Sequence, residues 1–398
     1  MKKSLKEIFQ IGKSEIRPLN GLRAFAILFV LINHYYINLK SIVSPYPTLE
    51  LLYSNLWSGV DLFFVLSGFL ISKGLWENWN ASSKLDFKKF YIKRTLRIFP
   101  AYYFFLTLAY ITGKVMIFSY EKNGVLNDAG ENLKKAMGNS WADFVFLGNY
   151  FQGIHTHTWS LSSEEQFYLI FPILCATILF KFGFKVRQLL LWILYFVPVI
   201  LRIFVLNDIE GTSTPPYYEE IYHPFQTRFD SLIIGVIAMD IYMNKEEFNS
   251  RIGNNSNFYY PILALFFSFI IISHFIAQQS TYFFTHTFKY NIQNIGFAGI
   301  LYLSIIKIES PVSRFLSLRL FSPIAKLSYT IYLWHFIVMG VSIALFKISP
   351  KSSILAFHLK FLCMLALQIV LALPLYMFIE LPFQKLRNKF YTKKEVLK

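Results

Sequence analysis

Long apolar runs separated by short polar stretches recur along the chain from residue 19 to residue 380. The runs are continuously apolar and do not alternate, which favours helices over the strands of a barrel. Each is near the ~20 residues that a helix needs to cross a bilayer. The pattern predicts spans over residues 19–39, 57–76, 97–117, 164–182, 188–206, 227–243, 258–278, 291–307, 323–346 and 360–381. The expected fold is all-α, a polytopic transmembrane helix bundle of about ten spans, organised as a single domain over residues 1–398. The longest polar segment, 118–163, is expected to hold a short amphipathic helix within "AGENLKKAMGNSWADFVFLG".

Composition supports a membrane protein. The chain is 55% hydrophobic and only 16% charged, with a mean hydropathy of +0.43. An ordinary soluble domain carries about a quarter charged residues. The first apolar run ends in "NHYYINLK", without a small-residue cleavage site, so a retained helix is expected there and not a signal peptide. Cys175 and Cys363 lie in apolar segments without metal-ligand spacing. Two buried thiols are expected, with no disulfide framework.

The formal net charge is +16. Its placement argues against a nucleic-acid partner, because the clusters "DFKKFYIKRTLR", "KFGFKVRQ", "RFLSLR" and "KLRNKFYTKKEVLK" flank apolar runs. That is the pattern of topology determinants, with attraction to anionic lipids as a further consequence. Loops 77–96, 183–187, 244–257 and 308–322 are expected on the cytoplasmic side, together with both termini. The basic "KISPKSS" falls outside and runs against this bias.

Candidate chemistry lies inside the apolar runs. "LRAFAILFVLINHYY" carries Arg23 and, eleven positions on, His34. Eleven residues advance a helix by about 1100°, so the two side chains share a face about 16 Å apart along the axis. Intramembrane ionisable groups are costly and usually face a bundle interior or cavity. Asp61, Glu164, Arg228, Asp230, His335 and Glu380 repeat the pattern in other spans. His155 and His157 have no accompanying Cys, Asp or Glu set, so no metal is expected. On residues alone, a proton-coupled secondary transporter or glycan exporter remains an alternative to an enzyme, although the two halves show no internal similarity.

Seven motifs in order make the chain resemble the acyltransferase family 3 membrane proteins: "LNGLRAFAILFVLINH", "GVDLFFVLSGFLIS", "FYIKRTLRIFPAYY", "HTHTWSLSSEEQFYLIFP", "TRFDSLIIGVIA", "LSYTIYLWHF" and "FIELPFQK". The resemblance covers roughly residues 18–386, and Ser163 departs from the aliphatic residue common at its position. It implies an O-acyltransferase of the bacterial cytoplasmic (inner) membrane. The donor would be cytoplasmic acyl-coenzyme A, most often acetyl, and no cofactor is permanently bound. The acceptor would be a sugar hydroxyl of a lipid-linked or exported polysaccharide. The C-terminal esterase-like domain of some members is not expected here.

The resemblance also implies site residues. His34 is the expected catalytic base, since a hydroxyl must lose its proton as it attacks. Glu164 would orient or charge-stabilise that imidazole, hold the sugar, or simply cap a helix. Glu165 is expected only to cap or face solvent. Arg23 would bind a phosphate or pair with Glu380. Lys93, Arg94 and Arg97 are the preferred phosphate site, because arginine forks suit phosphates. His335 is expected in the donor channel or in an ordinary bundle contact, and Arg228 and Asp230 at the acceptor entry. Asp61 is expected beside them, or with Tyr329 as an interhelical hydrogen-bond partner.

Overall fold

The structure is a computed structural model that describes residue 8 and residues 15–122, 128–209, 217–276, 282–347 and 352–395. The termini and parts of four loops, including most of "KISPKSS", lie outside the described residues. Every predicted span is occupied by a helix. These are α1 (Arg17–Asn38), α2 (Gly59–Ser82), α3 (Phe87–Lys122), α4 (Thr158–Thr177) and α5 (Phe184–Ile209). They continue with α6 (Asp230–Asn244), α7 (Ser256–His274), α8 (Lys289–Ile306), α9 (Phe321–Leu345) and α10 (Ile354–Leu375). A π-turn after Pro374 leads from α10 into α11 (Leu381–Glu395). The expected amphipathic segment forms short helices over Asp128–Gly138 and Ser140–Phe144.

Burial is inverted relative to a soluble protein. On α5, Leu189, Ile193, Phe196, Ile200 and Phe204 form an exposed apolar stripe, while Tyr195 and Arg202 are completely buried. Such a surface is stable only against an apolar medium. Cys175 is buried as expected. Cys363 is not: it lies exposed on α10 beside Leu359 and Leu362. Sequence hydropathy does not separate a lipid-facing position from a core one.

Among the described residues, seven helical segments are long and apolar enough to cross a membrane. The expected number was ten, and α1, α6 and α8 fall short. α6 has only 15 residues, and every residue from Asp230 to Asp240 is buried. It is a central helix surrounded by protein. α1 and α8 carry polar residues, among them Arg23 and His34 on one and Lys289, Asn291, Gln293 and Asn294 on the other. These inner helices spend apolar positions on polar contacts.

α2 and α6 approach most closely through reciprocal glycines. A methyl on Gly68 would lie 1.9 Å from the Leu232 carbonyl oxygen, and one on Gly235 would lie 2.1 Å from that of Val65. Small residues at such crossings let backbones pack directly when no hydrophobic drive separates helix from lipid.

Candidate functional site

The motif residues gather in three places. The first is a cavity of about 300 Å³ enclosed by α1, α2, α3, α4, α9 and α11. α1 contributes Arg23, and α3 contributes Arg94, Arg97 and Ile98 from one face. α4 presents Ser160, Glu164 and Tyr168, each one helical turn beyond the last. The C-terminal segment does the same with Tyr376, Glu380, Gln384 and Arg387. Glu164 accepts a hydrogen bond from Ser67 at 2.6 Å, and Glu380 accepts one from Thr330. Lys326 and Glu15 pair at 3.5 Å near the rim.

The cavity has a basic mouth. Lys93, Arg94, Arg97, Arg387 and Asn388 line this recess, and no carboxylate is among them. The Arg94 guanidinium lies 5.3 Å from the Tyr168 ring centre, a cation–π contact that holds it toward the cavity. Arg387 and Lys326 were not singled out in the sequence. For Arg387 a signal existed, because Glu380, Gln384 and Arg387 follow helical spacing through the tail.

At its other end the cavity is lined by Ser160 and Tyr332, whose hydroxyls are 2.5 Å apart. Beyond Tyr332 lies the second place, a histidine cluster. His34 Nδ1 and His335 Nε2 are 2.9 Å apart, with their rings stacked at 4.9 Å. His335 Nδ1 lies 2.6 Å from the Tyr332 backbone oxygen. The His157 ring is 5.1 Å from that of His335. His155 and Phe105 pack against His157 at the edge of the cluster. Burial pushes His155 down to about 4, so it is neutral at ordinary pH.

Two expectations change here. His335 does not line the basic cavity, because its place on α9 turns it to His34. Glu164 does not meet His34 either. α4 begins at Thr158, six residues before the expected span start, so Glu164 sits about 9 Å deeper along the helix. It shares the cavity with Arg23, Arg94 and Arg97. Glu165 lines it as well and is not a solvated cap. His157, Tyr332 and Ser160 were missed as site residues. "HTHTW" belongs to a family motif, but its histidines carry no metal-ligand spacing and no other signal of a site.

The third place is a buried network, not an open entry. Arg228 pairs with Asp61 at 2.6 Å, and Asp230 pairs with Arg202 at 2.9 Å; all four side chains are at most 1% exposed. Ser231 also donates to Asp61 at 2.8 Å, while Asn291 donates to Asp230 at 3.1 Å. The Arg228 guanidinium is caged by Tyr290, Tyr222, Trp57 and Trp159 at 4.1–5.8 Å. Asp61, Arg228 and Asp230 therefore tie α2, α5, α6 and α8 together, because a charge at this depth needs a partner charge. Tyr329 does bridge helices, donating to the Ile98 carbonyl at 3.1 Å. A comparable node, unnoticed in the sequence, joins Arg187, Gln188 and Trp76 to Asp240.

The acyltransferase domain family matches residues 16–377, nearly all of the helical bundle. The chain is similar to O-acetyltransferase OatA of Staphylococcus aureus strain NCTC 8325, with 26% identity over 385 residues. The same protein of strain COL is equally similar. These alignments cover 92% of this chain but 57% of the relatives, so the chain spans little more than half their length. No solved structure matches. With the family's match running through the arginines, the W-S-L helix and the histidine cluster alike, the chain belongs to the membrane acyltransferases of family 3.

Proposed function

We propose that this protein transfers an acyl group, acetyl in the first instance, from cytoplasmic acyl-coenzyme A to a sugar hydroxyl of a lipid-linked or exported glycan. The carrying observation is a cavity that has a basic mouth and reaches Tyr332 and Ser160, with the His34–His335 pair directly beyond Tyr332. Lys93, Arg94, Arg97 and Arg387 would hold the donor's phosphates by charge-assisted hydrogen bonds. The pantetheine arm would then lie along the cavity past Arg23 and Glu164. The Tyr332–Ser160 hydrogen bond stands between the cavity and His34, and it would part to admit the thioester. The acceptor would reach His34 from the opposite side, in the bacterial cytoplasmic membrane, with the mouth facing the cytoplasm.

In the reaction, His34 takes the proton of the attacking hydroxyl as its oxygen bonds to the thioester carbon. The carbon–sulfur bond breaks, and the same proton passes from the imidazolium to the departing thiolate. The products are the sugar ester and free coenzyme A thiol. The names of the relatives support acetyl as the group and oxygen as its destination.

The test uses inside-out membrane vesicles that carry the full chain and its endogenous acceptor, supplied with labelled acetyl-coenzyme A. Label should enter the glycan fraction. H34A and H34Q should both reduce the rate by about 10²-fold or more, with donor affinity nearly intact. Restored transfer in H34Q reduces His34 to a polar contact. Absence of any labelled glycan, with coupled proton movement in its place, favours the carrier.

A further inference from the structure

We propose that His335 is a positioning residue that fixes the proton of His34 on Nδ1 and leaves Nε2 bare as the base. This rests on the acyltransferase reading above and adds to it a role for a residue that never meets the donor.

A carbonyl oxygen can only accept, so the 2.6 Å contact with Tyr332 requires a proton on His335 Nδ1. In a neutral ring that leaves His335 Nε2 as an acceptor. The donor to it, at 2.9 Å, must then be the N–H of His34 Nδ1. The second nitrogen of His34 is left with a lone pair. The tautomer of the outer histidine is thus dictated through the inner one by a backbone oxygen. Second partners of this kind commonly set which imidazole nitrogen is available. The backbone oxygen of His335 is itself held by Gln368 of α10 at 3.0 Å, which anchors this part of α9.

The surroundings suit the role. The titratable groups facing the pair are His157 and His155 ahead of α4 and Tyr332 on α9. Phe336 of α9 and Phe105 of α3 fill the remaining space. No carboxylate hydrogen-bonds to either ring of the pair among the described residues. In a hydrolase triad a carboxylate orients the base and stabilises its charged form. Here a neutral imidazole supplies orientation without a full countercharge. That suits a base whose proton must leave again promptly, to the thiolate.

The tautomer is read directly by solid-state NMR of the full chain in lipid with ¹⁵N-labelled histidine, the His34 signals being assigned by their loss in H34Q. Wild-type protein should show Nδ1 protonated and Nε2 bare. H335L should lose that preference, while H335Q, whose side-chain oxygen can accept from Nδ1, should keep it. In the vesicle assay H335L should lower the maximal rate by about 10²-fold with little change in the Michaelis constant for acetyl-coenzyme A. H335Q should stay within about tenfold of wild type. H335E should move the acidic limb of the pH–rate profile upward by about one unit, since a carboxylate favours the imidazolium. A His34 protonated on Nε2 overturns the proposal whatever the activity. So does an H335Q variant no better than H335L when both are folded. A wild-type chain with the stated tautomer but no transfer overturns the acyltransferase reading alone.

Discussion

Arg94 and Arg97 sit one turn apart on α3 and belong to both the cavity and its mouth. As topology signals alone they would tolerate replacement with no effect on ligand. As phosphate ligands they would not. R94A/R97A should weaken acetyl-coenzyme A binding in detergent by about tenfold or more, and the wild-type affinity should fall with salt as surface charges are screened. Equal affinities, measured by calorimetry on folded protein, would return both residues to a topological role. A second residue-scale expectation concerns Asp143, in the segment expected outside. Burial pushes its carboxyl up to about 6, opposed by a hydrogen bond from Thr158. An acid whose folded pKa is raised adds stability that is complete below its unfolded value and is lost as pH rises through the folded one. His155, pushed down to about 4, works in the other direction, so the wild-type curve alone is blunted. The difference between D143N and wild type isolates Asp143. It should grow in favour of D143N by on the order of 2 kcal/mol from pH 4 to pH 8. A pH-independent difference in thermal unfolding would contradict the assigned burial cost.

At the scale of elements, what the sequence made legible was where helices lie. Continuous apolar runs mark them well, and a helix lies within each predicted segment. Their starts were less legible. α4 begins six residues early because "TWSLSS" is polar enough to read as loop, yet its serines and threonine are buried against other helices. That shift moved Glu164 from the histidines to the arginines. Residue type alone also concealed pairing: Arg228 and Asp61 are distant in sequence, and only the α2–α6 crossing brings them together. The crossing itself makes a prediction. Gly68 lies against the Leu232 backbone with no room for a methyl, and a backbone cannot rotate away as a side chain can. G68A should force α2 and α6 apart and strain the Asp61–Arg228 pair, at a cost of about 1–3 kcal/mol. At Gly74, where nothing lies within 4 Å, G74A should be close to neutral. Equal thermal stabilities for the two variants would refute the close crossing.

For the whole molecule, the question is which side the basic mouth faces. The mouth is built from the first turns of α3 and from α11, so it shares a side with the short α2–α3 connection at Lys84. The helix over Asp128–Gly138, which follows α3, lies at its opposite end. The lysine and arginine bias would put the Lys84 side in the cytoplasm, where the proposed coenzyme A donor is found. Donor chemistry and topology are thus one prediction. In a chain with Cys175 and Cys363 replaced by alanine, K134C should react with a membrane-impermeant maleimide added to intact cells, and K84C should react only after the membrane is opened. Both positions are solvent-exposed, so failure to label reports sidedness and not burial. The reverse pattern would place the arginine mouth outside, out of reach of cytoplasmic acyl-coenzyme A. The donor would then have to be a different, extracytoplasmic acyl carrier, even with the histidine pair unchanged.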